Sequence, residues 1–171
     1  MSAASVAESS TSVRAFVALG ANLNNPQETV AAAMESLRTL PHSQLQAASS
    51  LYRSAPVGLK NQPDFINAVV ALDTTLTARA LLDELFAIEA RFGRRRDYRH
   101  APRTLDLDLL LYGDAVSADP QLTIPHPRMH ERAFVLMPLV EIAPDCVIPY
   151  YGRAEDLLAQ CNDQRLAKLA R

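Results

Sequence analysis

Two carboxylates one residue apart in an otherwise apolar run are the first residues to suggest chemistry: Leu105-Asp106-Leu107-Asp108-Leu109-Leu110-Leu111. A strand turns successive side chains to opposite faces. Leu105, Leu107, Leu109 and Leu111 are therefore expected on a buried face, with Asp106 and Asp108 together on the other. Their Cα atoms would lie roughly 6–7 Å apart, a spacing from which two carboxylates converge on a hard cation such as Mg²⁺. Like charges that close repel, and Asp disfavours strands, so a compensating charge is required. One lies immediately upstream: Arg91, Arg94, Arg95, Arg96, Arg99 and Arg103 stand against Asp97 alone. This window carries +5 in a chain of net charge −2, so the remainder carries −7. Solvated acids on an edge strand, or a solvated basic loop, would each be unremarked alone. Together they suit a metal–polyphosphate, the acids taking the metal and the guanidiniums the phosphate oxygens. So local a cationic cluster on an acidic chain points to a compact anion rather than a nucleic-acid track.

These groups need a framework. The 171 residues are nearly half apolar and 21% charged, which excludes wholesale disorder and suits one domain with a real core. The longest apolar stretch, Ala133–Val140, is far too short to span a bilayer. Met1–Thr11 lacks the basic and apolar regions of a secretory signal. Cys146 and Cys161 have no metal-like spacing and are expected to be reduced. A cytoplasmic protein is expected, with a disordered leader over 1–12 and a single domain over 13–171.

Val13–Leu19 reads as a strand closed by Gly20, and Asn25-Pro26-Gln27-Glu28 as a helix start with Asn25 as the N-cap. Val30, Met34, Leu37 and Leu40 then form an apolar stripe that Pro41 ends. Weak strand character over Leu45–Tyr52 precedes a Pro/Gly-rich loop, Ala55–Pro63, and a strand, Phe65–Leu72. Thr77 can cap a second helix reaching Phe92, with Gly93 as its stop. The strand Leu105–Tyr112 follows, then strand-like pieces near Val116 and Leu122–Ile124, short proline-interrupted helices, and a small helix near Glu155–Cys161. The order strand, helix, strand, strand, helix, strand is that of an α+β ferredoxin-like sandwich (a βαββαβ core), here with extra short C-terminal strands and helices. Helices would cover one sheet face and leave the other to ligands.

The segment Arg99-His100-Ala101-Pro102-Arg103-Thr104-Leu105-Asp106-Leu107-Asp108 closely resembles the signature of the 6-hydroxymethyl-7,8-dihydropterin pyrophosphokinase family. The resemblance runs from about Val13 to Pro149. Ala18-Leu19-Gly20-Ala21-Asn22-Leu23 is similar to the family's opening turn, while Tyr52–Gly58 and Gln62–Asn67 resemble its pterin-side loop and strand. Leu122–Met129, Arg132-Ala133-Phe134 and Glu141–Pro144 resemble its later blocks. The family's fold is ferredoxin-like, in agreement with the order of elements.

The resemblance implies transfer of the β,γ-diphosphoryl group of ATP to the hydroxymethyl group of the reduced pterin in folate biosynthesis, with release of AMP. It implies two Mg²⁺ held by Asp106 and Asp108, with Arg94 and Arg103 joining them as catalytic residues. Phe65 and Phe134 would sandwich the pterin, Asn67 would bond its edge, and Ser54, Ala55 and Val57 would contribute contacts. Glu89, Arg94, Arg96, Arg99, Arg103, Thr123, His126 and Arg132 would serve the nucleotide. The protein is expected to act as a monomer on small molecules, without nucleic-acid or membrane partners. Departures from the family pattern fall at His100, at Phe65 (others have Tyr) and at Phe86 in place of a polar residue. The competing classes are a non-catalytic module binding RNA or a regulatory anion through the basic loop, and a Mg²⁺-dependent phosphodiesterase. An RNA-binding sheet would show aromatic strand positions that this chain lacks.

Overall fold

The computed structural model describes residues 8–56, 62–93 and 104–169. Strand β1 (Glu8–Ala21) is followed by helix α1 (Pro26–Arg38), β2 (Ser43–Ala48), β3 (Tyr52–Ser54), β4 (Phe65–Leu76), α2 (Ala78–Arg91) and β5 (Asp106–Tyr112). A ribbon of β6 (Ser117–Asp119) and β7 (Leu122–Ile124) leads through a 3₁₀ turn, Met129–Glu131, into α3 (Ala133–Ile142). Then come the hairpin β8 (Val147–Ile148) and β9 (Gly152–Arg153), α4 (Ala154–Ala159) and β10 (Leu166–Lys168).

The main sheet is antiparallel, in the order β10-β3-β4-β1-β5, with β2 also pairing β4. Two crossovers interlock in it. The path β1–α1–β2 steps over β4, and β4–α2–β5 steps over β1. Both helices pack on the same face, where Ala15, Val17 and Leu19 of β1 meet Ile66, Ala68, Val70 and Leu72 of β4 and Leu107 and Leu109 of β5. Val30, Ala33 and Leu37 of α1 and Leu81, Leu85 and Ile88 of α2 close that core. The alternate residues of the same strands, Phe16, Ala18, Val69 and Ala71, face the other way, against Leu136 and Leu139 of α3. Alternation along β1 and β4 thus builds two cores from one sheet.

The helices form where their sequences place start and stop signals. The Thr77 hydroxyl accepts the Ala80 N–H at 3.1 Å, and Gly93 follows α2 with φ +78°, a conformation suited to glycine. Pro26 opens α1, but Asn25 sits in the left-handed region (φ 60°) and its side chain makes no cap, contrary to expectation. Other expectations are also corrected. β1 reaches back to Glu8, inside the segment read as leader. The weak strand expected over Leu45–Tyr52 is two strands along the same side of β4, because the ladder breaks between Ala48 and Tyr52, where four steps of chain pass three on β4. The leucine alternation breaks near the end of β5: Phe16 opposes Leu111 while Val17 opposes Leu109, so Leu110 is an extra, bulged residue. Leu111 therefore joins Leu110 in the α3-side core rather than Leu105, Leu107 and Leu109 in the other. Strands β8, β9 and β10 have no counterpart in the periodicity. No helix among the described residues is long and apolar enough to cross a membrane.

Candidate active site

The register of three strands lays out the site. Across the face not covered by α1 and α2, Asp106 of β5 opposes Gly20 of β1, which opposes Asn67 of β4. One step along, Asp108 opposes Ala18, which opposes Val69. The acids and the amide are thus two strand spacings apart, roughly 10 Å, with only Gly20 and Ala18 between them. A Cβ on Gly20 would stand 3.5 Å from Asn67 Oδ1. The floor is low because its residues are small.

Walls rise from this floor to enclose a cavity of about 580 Å³. Ser54, Ala55 and Phe65 stand at the Asn67 end with Phe134 of α3, while Thr123, His126 and Arg132 stand on the acid side. Leu82, Phe86 and Glu89 of α2 reach around the edge strand β5. Every expected site residue within the described regions lines this one cavity: Ser54, Ala55, Phe65, Asn67, Glu89, Asp106, Asp108, Thr123, His126, Arg132 and Phe134. Val57, Arg94, Arg96, Arg99 and Arg103 lie outside the described residues.

Individual bonds refine these placements. Asn67 is buried and donates through Nδ2 to Ser54 Oγ at 2.7 Å, which fixes the plane of its amide. Glu89, also buried, accepts the Leu107 N–H at 2.8 Å and so ties the backbone of β5 between the two aspartates. That bond makes it a support for the acids. The Thr123 hydroxyl donates to Asp119 O at 3.0 Å within the β6–β7 ribbon. Asn22, at the end of β1, donates to Gln62 Oε1 (2.9 Å) and Pro63 O (3.2 Å), anchoring the approach to β4.

Electrostatics divides the cavity. Among the described residues, Arg132 is a cation close enough to feel both acids: burial lowers its pKa, while Asp108 and, more weakly, Asp106 oppose that. Its guanidinium carbon also lies 5.4 Å from the Phe134 ring centroid. His126 is placed by the bulge in β5, whose Leu110 carbonyl accepts the His126 N–H at 3.0 Å. Burial, then the charges of Arg132 and Arg128, push its ring down to about 4. Nδ1 accepts the Arg128 N–H at 3.1 Å, which leaves the hydrogen of the neutral ring on Nε2. His126 is therefore a neutral donor at pH 7.

Because its pKa is depressed, the stability tied to the neutral ring is complete above pH 6.5 and is lost as pH falls through about 4. A bound polyphosphate should reverse the depression, raising the ring pKa by about one unit or more. An NMR titration of His126 with and without a nonhydrolysable Mg²⁺–ATP analogue measures both values. A free-protein pKa at or above 6.5 would contradict this environment.

The donor set suits Mg²⁺. Asp106 and Asp108 offer hard oxygens on one face, and among the described residues no cluster of three His, Cys, Asp or Glu could hold an ion alone. A cation held by two carboxylates and completed by phosphate oxygens and water has that pattern. Arg128 was not singled out from the sequence, yet it lines the cavity and depresses His126. Its spacing of four from Arg132, within one short block, is the signal that could have found it. Gln121, Pro127 and the half-exposed Phe86 complete the acid-side wall.

Comparison with known proteins gives a consistent picture. Residues 16–144 match the family model described as 7,8-dihydro-6-hydroxymethylpterin-pyrophosphokinase (HPPK). The chain is 47% identical over 156 residues to a Pseudomonas aeruginosa 2-amino-4-hydroxy-6-hydroxymethyldihydropteridine pyrophosphokinase, covering 91% of this chain and 96% of that one. It is 45% identical over 157 residues to the Haemophilus influenzae protein of the same name, covering 92% and 98%. A solved Plasmodium falciparum HPPK-DHPS chain with pterin and p-hydrobenzoate shares the fold at a TM-score of 0.71 and 14% identity. The match covers 91% of this chain and 45% of that longer one, so this chain spans less than half of that protein.

Proposed function

This chain belongs to the 7,8-dihydro-6-hydroxymethylpterin-pyrophosphokinase family, and on that premise we propose that the cavity holds ATP over the acids and the pterin over Asn67. The protein is an ATP-dependent diphosphotransferase of folate biosynthesis. The reaction assigned to it joins the hydroxymethyl oxygen of 6-hydroxymethyl-7,8-dihydropterin to the β-phosphorus of ATP. The bond between the α- and β-phosphates breaks, and AMP leaves. The observation that carries the site reading is the row Asp106–Gly20–Asn67, which sets a carboxylate and an acceptor-side amide roughly 10 Å apart in one cavity, with Asp108 in the next row beside Asp106.

The chain's residues act chiefly by positioning and by neutralising charge, since diphosphoryl transfer gives a covalent nucleophile little to do. Asp106 and Asp108 would hold two Mg²⁺ along the triphosphate. Bound there, the metal supplies charge neutralisation at the phosphate oxygens. Arg132, drawn toward the acids by their charge, is placed to meet those oxygens. His126, on the same wall, has Nε2–H left to donate to them, and Arg94, Arg96, Arg99 and Arg103 are assigned to the polyphosphate by their match to the family pattern. Phe65 and Phe134 offer ring faces to a flat heterocycle, and Asn67, its plane set by Ser54, offers an amide edge. Glu89 maintains the edge strand on which the acids stand. We read the interlocked crossovers as a ferredoxin-like core, residues 13–171 as one catalytic unit, and the enzyme as a cytoplasmic monomer.

Product analysis tests the chemistry. With ATP, Mg²⁺ and the reduced hydroxymethylpterin, AMP and the diphosphorylated pterin should appear in equal amounts. ADP as the sole nucleotide product would mean single phosphoryl transfer and would overturn the assignment.

A further inference from the structure

Gln164 lines no part of the cavity, yet its side chain grips the turn that does. Its Oε1 accepts the Ala133 N–H at 2.8 Å, and its Nε2 donates to Glu131 O at 2.8 Å. These two bonds bracket Arg132. The first also supplies the cap that α3 lacks, since the N-cap residue Arg132 makes no side-chain bond to its own helix. Arg132 and Phe134, on either side of Ala133, both line the cavity.

Two residues further on, the same segment becomes β10 and takes hold of the opposite wall. Leu166 opposes Ser54, Ala167 opposes Arg53 and Lys168 opposes Tyr52. The Leu169 N–H reaches Leu51 O at 2.9 Å. One short stretch thus holds both the start of α3, which carries Phe134, and β3, which carries Ser54.

A third tie closes the frame. Glu141, near the far end of α3, accepts from the Ser50 N–H (3.1 Å), the Ser50 hydroxyl (2.9 Å) and the Tyr52 hydroxyl (2.6 Å). Lys168 of β10 lies near enough to help hold that carboxyl below its usual range.

We propose that Gln164–Leu169 is a strap that sets the distance between α3 and β3, with Gln164 as a positioning residue for the acceptor substrate. This rests on the reading that the pterin lies between Phe134 and Phe65 with its edge on Asn67, and Phe65 is the β4 residue that pairs with Ser54 of β3. A flat ring needs its two walls at a fixed separation, and a misplacement near 1 Å can cost about 10²-fold in rate. Gln164, Ala167 and Lys168 are exposed, while Leu166 and Leu169 pack against the edges of the two cores, so Gln164 itself adds geometry rather than core.

Steady-state kinetics of the full-length enzyme tests it through Gln164→Ala, Gln164→Glu, Ala167→Pro and, as a site control, Phe134→Ala. Gln164→Ala should raise the acceptor KM about fivefold or more, with a smaller rise in the ATP KM because Arg132 sits on the same released turn. Its Ala133 amide should exchange faster with deuterium. Gln164→Glu keeps an acceptor for the Ala133 N–H and should recover part of the loss. Ala167→Pro, which removes a strand N–H, should follow Gln164→Ala; if it does not fold, the Gln164 variants decide alone. An unchanged acceptor KM in Gln164→Ala, beside a raised one in Phe134→Ala, overturns the strap and leaves the site reading intact. If Phe134→Ala also leaves the acceptor KM unchanged, the site reading falls and the strap with it.

Discussion

Replacing Asp108 with alanine is expected to lower kcat/KM by about 10²–10⁴-fold while leaving the fold in place, and Asp106→Ala should do the same. Each aspartate stands on the cavity side of β5, opposite Ala18 or Gly20, and neither belongs to a core. Removing a carboxylate thus opens no packed void. It removes a charge that would balance a cation, and it strips Arg132 of an opposing acid. Circular dichroism and thermal melting should be nearly unchanged, because Leu107 and Leu109 still bury the other face of β5. Raising the Mg²⁺ concentration should recover part of the activity if metal affinity is what was lost. Two fully active variants would move the metal to other residues.

Arg132 carries the second large effect. Arg132→Ala should lower kcat/KM by about 10²–10³-fold, and Arg132→Lys should recover little of it. A planar fork spans two phosphate oxygens where an ammonium offers one point of charge. Arg132 and Asp108 interact in the free protein, so a double-mutant cycle between them should be strongly non-additive. Simple addition of the two single losses would show that they serve separate steps. The variant should also raise the His126 pKa, since one of the two positive charges that depress it is gone. That shift is measurable without turnover.

The two aspartates were readable because a polar residue repeated at period two inside an apolar run has one structural meaning. Phe65, Asn67 and Phe134 were not readable that way; without the resemblance to a family, each would pass for core or a satisfied strand polar. Their assignment needed the blocks around them. The order of strands and helices was legible from periodicity and stop signals, as at Thr77 and Gly93. The bulge at Leu110 was hidden because Leu109, Leu110 and Leu111 are identical, so no change of polarity marks where the alternation slips. β10 was hidden for another reason: Leu166-Ala167-Lys168 is too short to show a period, and pairing with β3 rather than intrinsic preference makes it a strand. Gln164 gives no local signal either, since the groups it bonds lie more than 30 positions earlier.

The inner strand β1 has a consequence for how this sequence can drift. Along Ala15–Leu19, odd positions fill the core beneath α1 and α2, and even positions face the second core or the floor of the cavity. An exposed helix position can accept almost any polar residue. Here, neither parity of position is free. A larger side chain at Val17 or Leu19 would strain a packed interior, and one at Ala18 or Gly20 would rise into the space between the acids and Asn67. In a saturation-mutagenesis library selected for growth without supplied folate, this stretch, like its neighbour Ile66–Leu72 of β4, should therefore tolerate fewer substitutions per position than the outer strands. Its losses should separate by parity: odd-numbered variants missing from the soluble fraction, and variants at positions 18 and 20 present there but inactive.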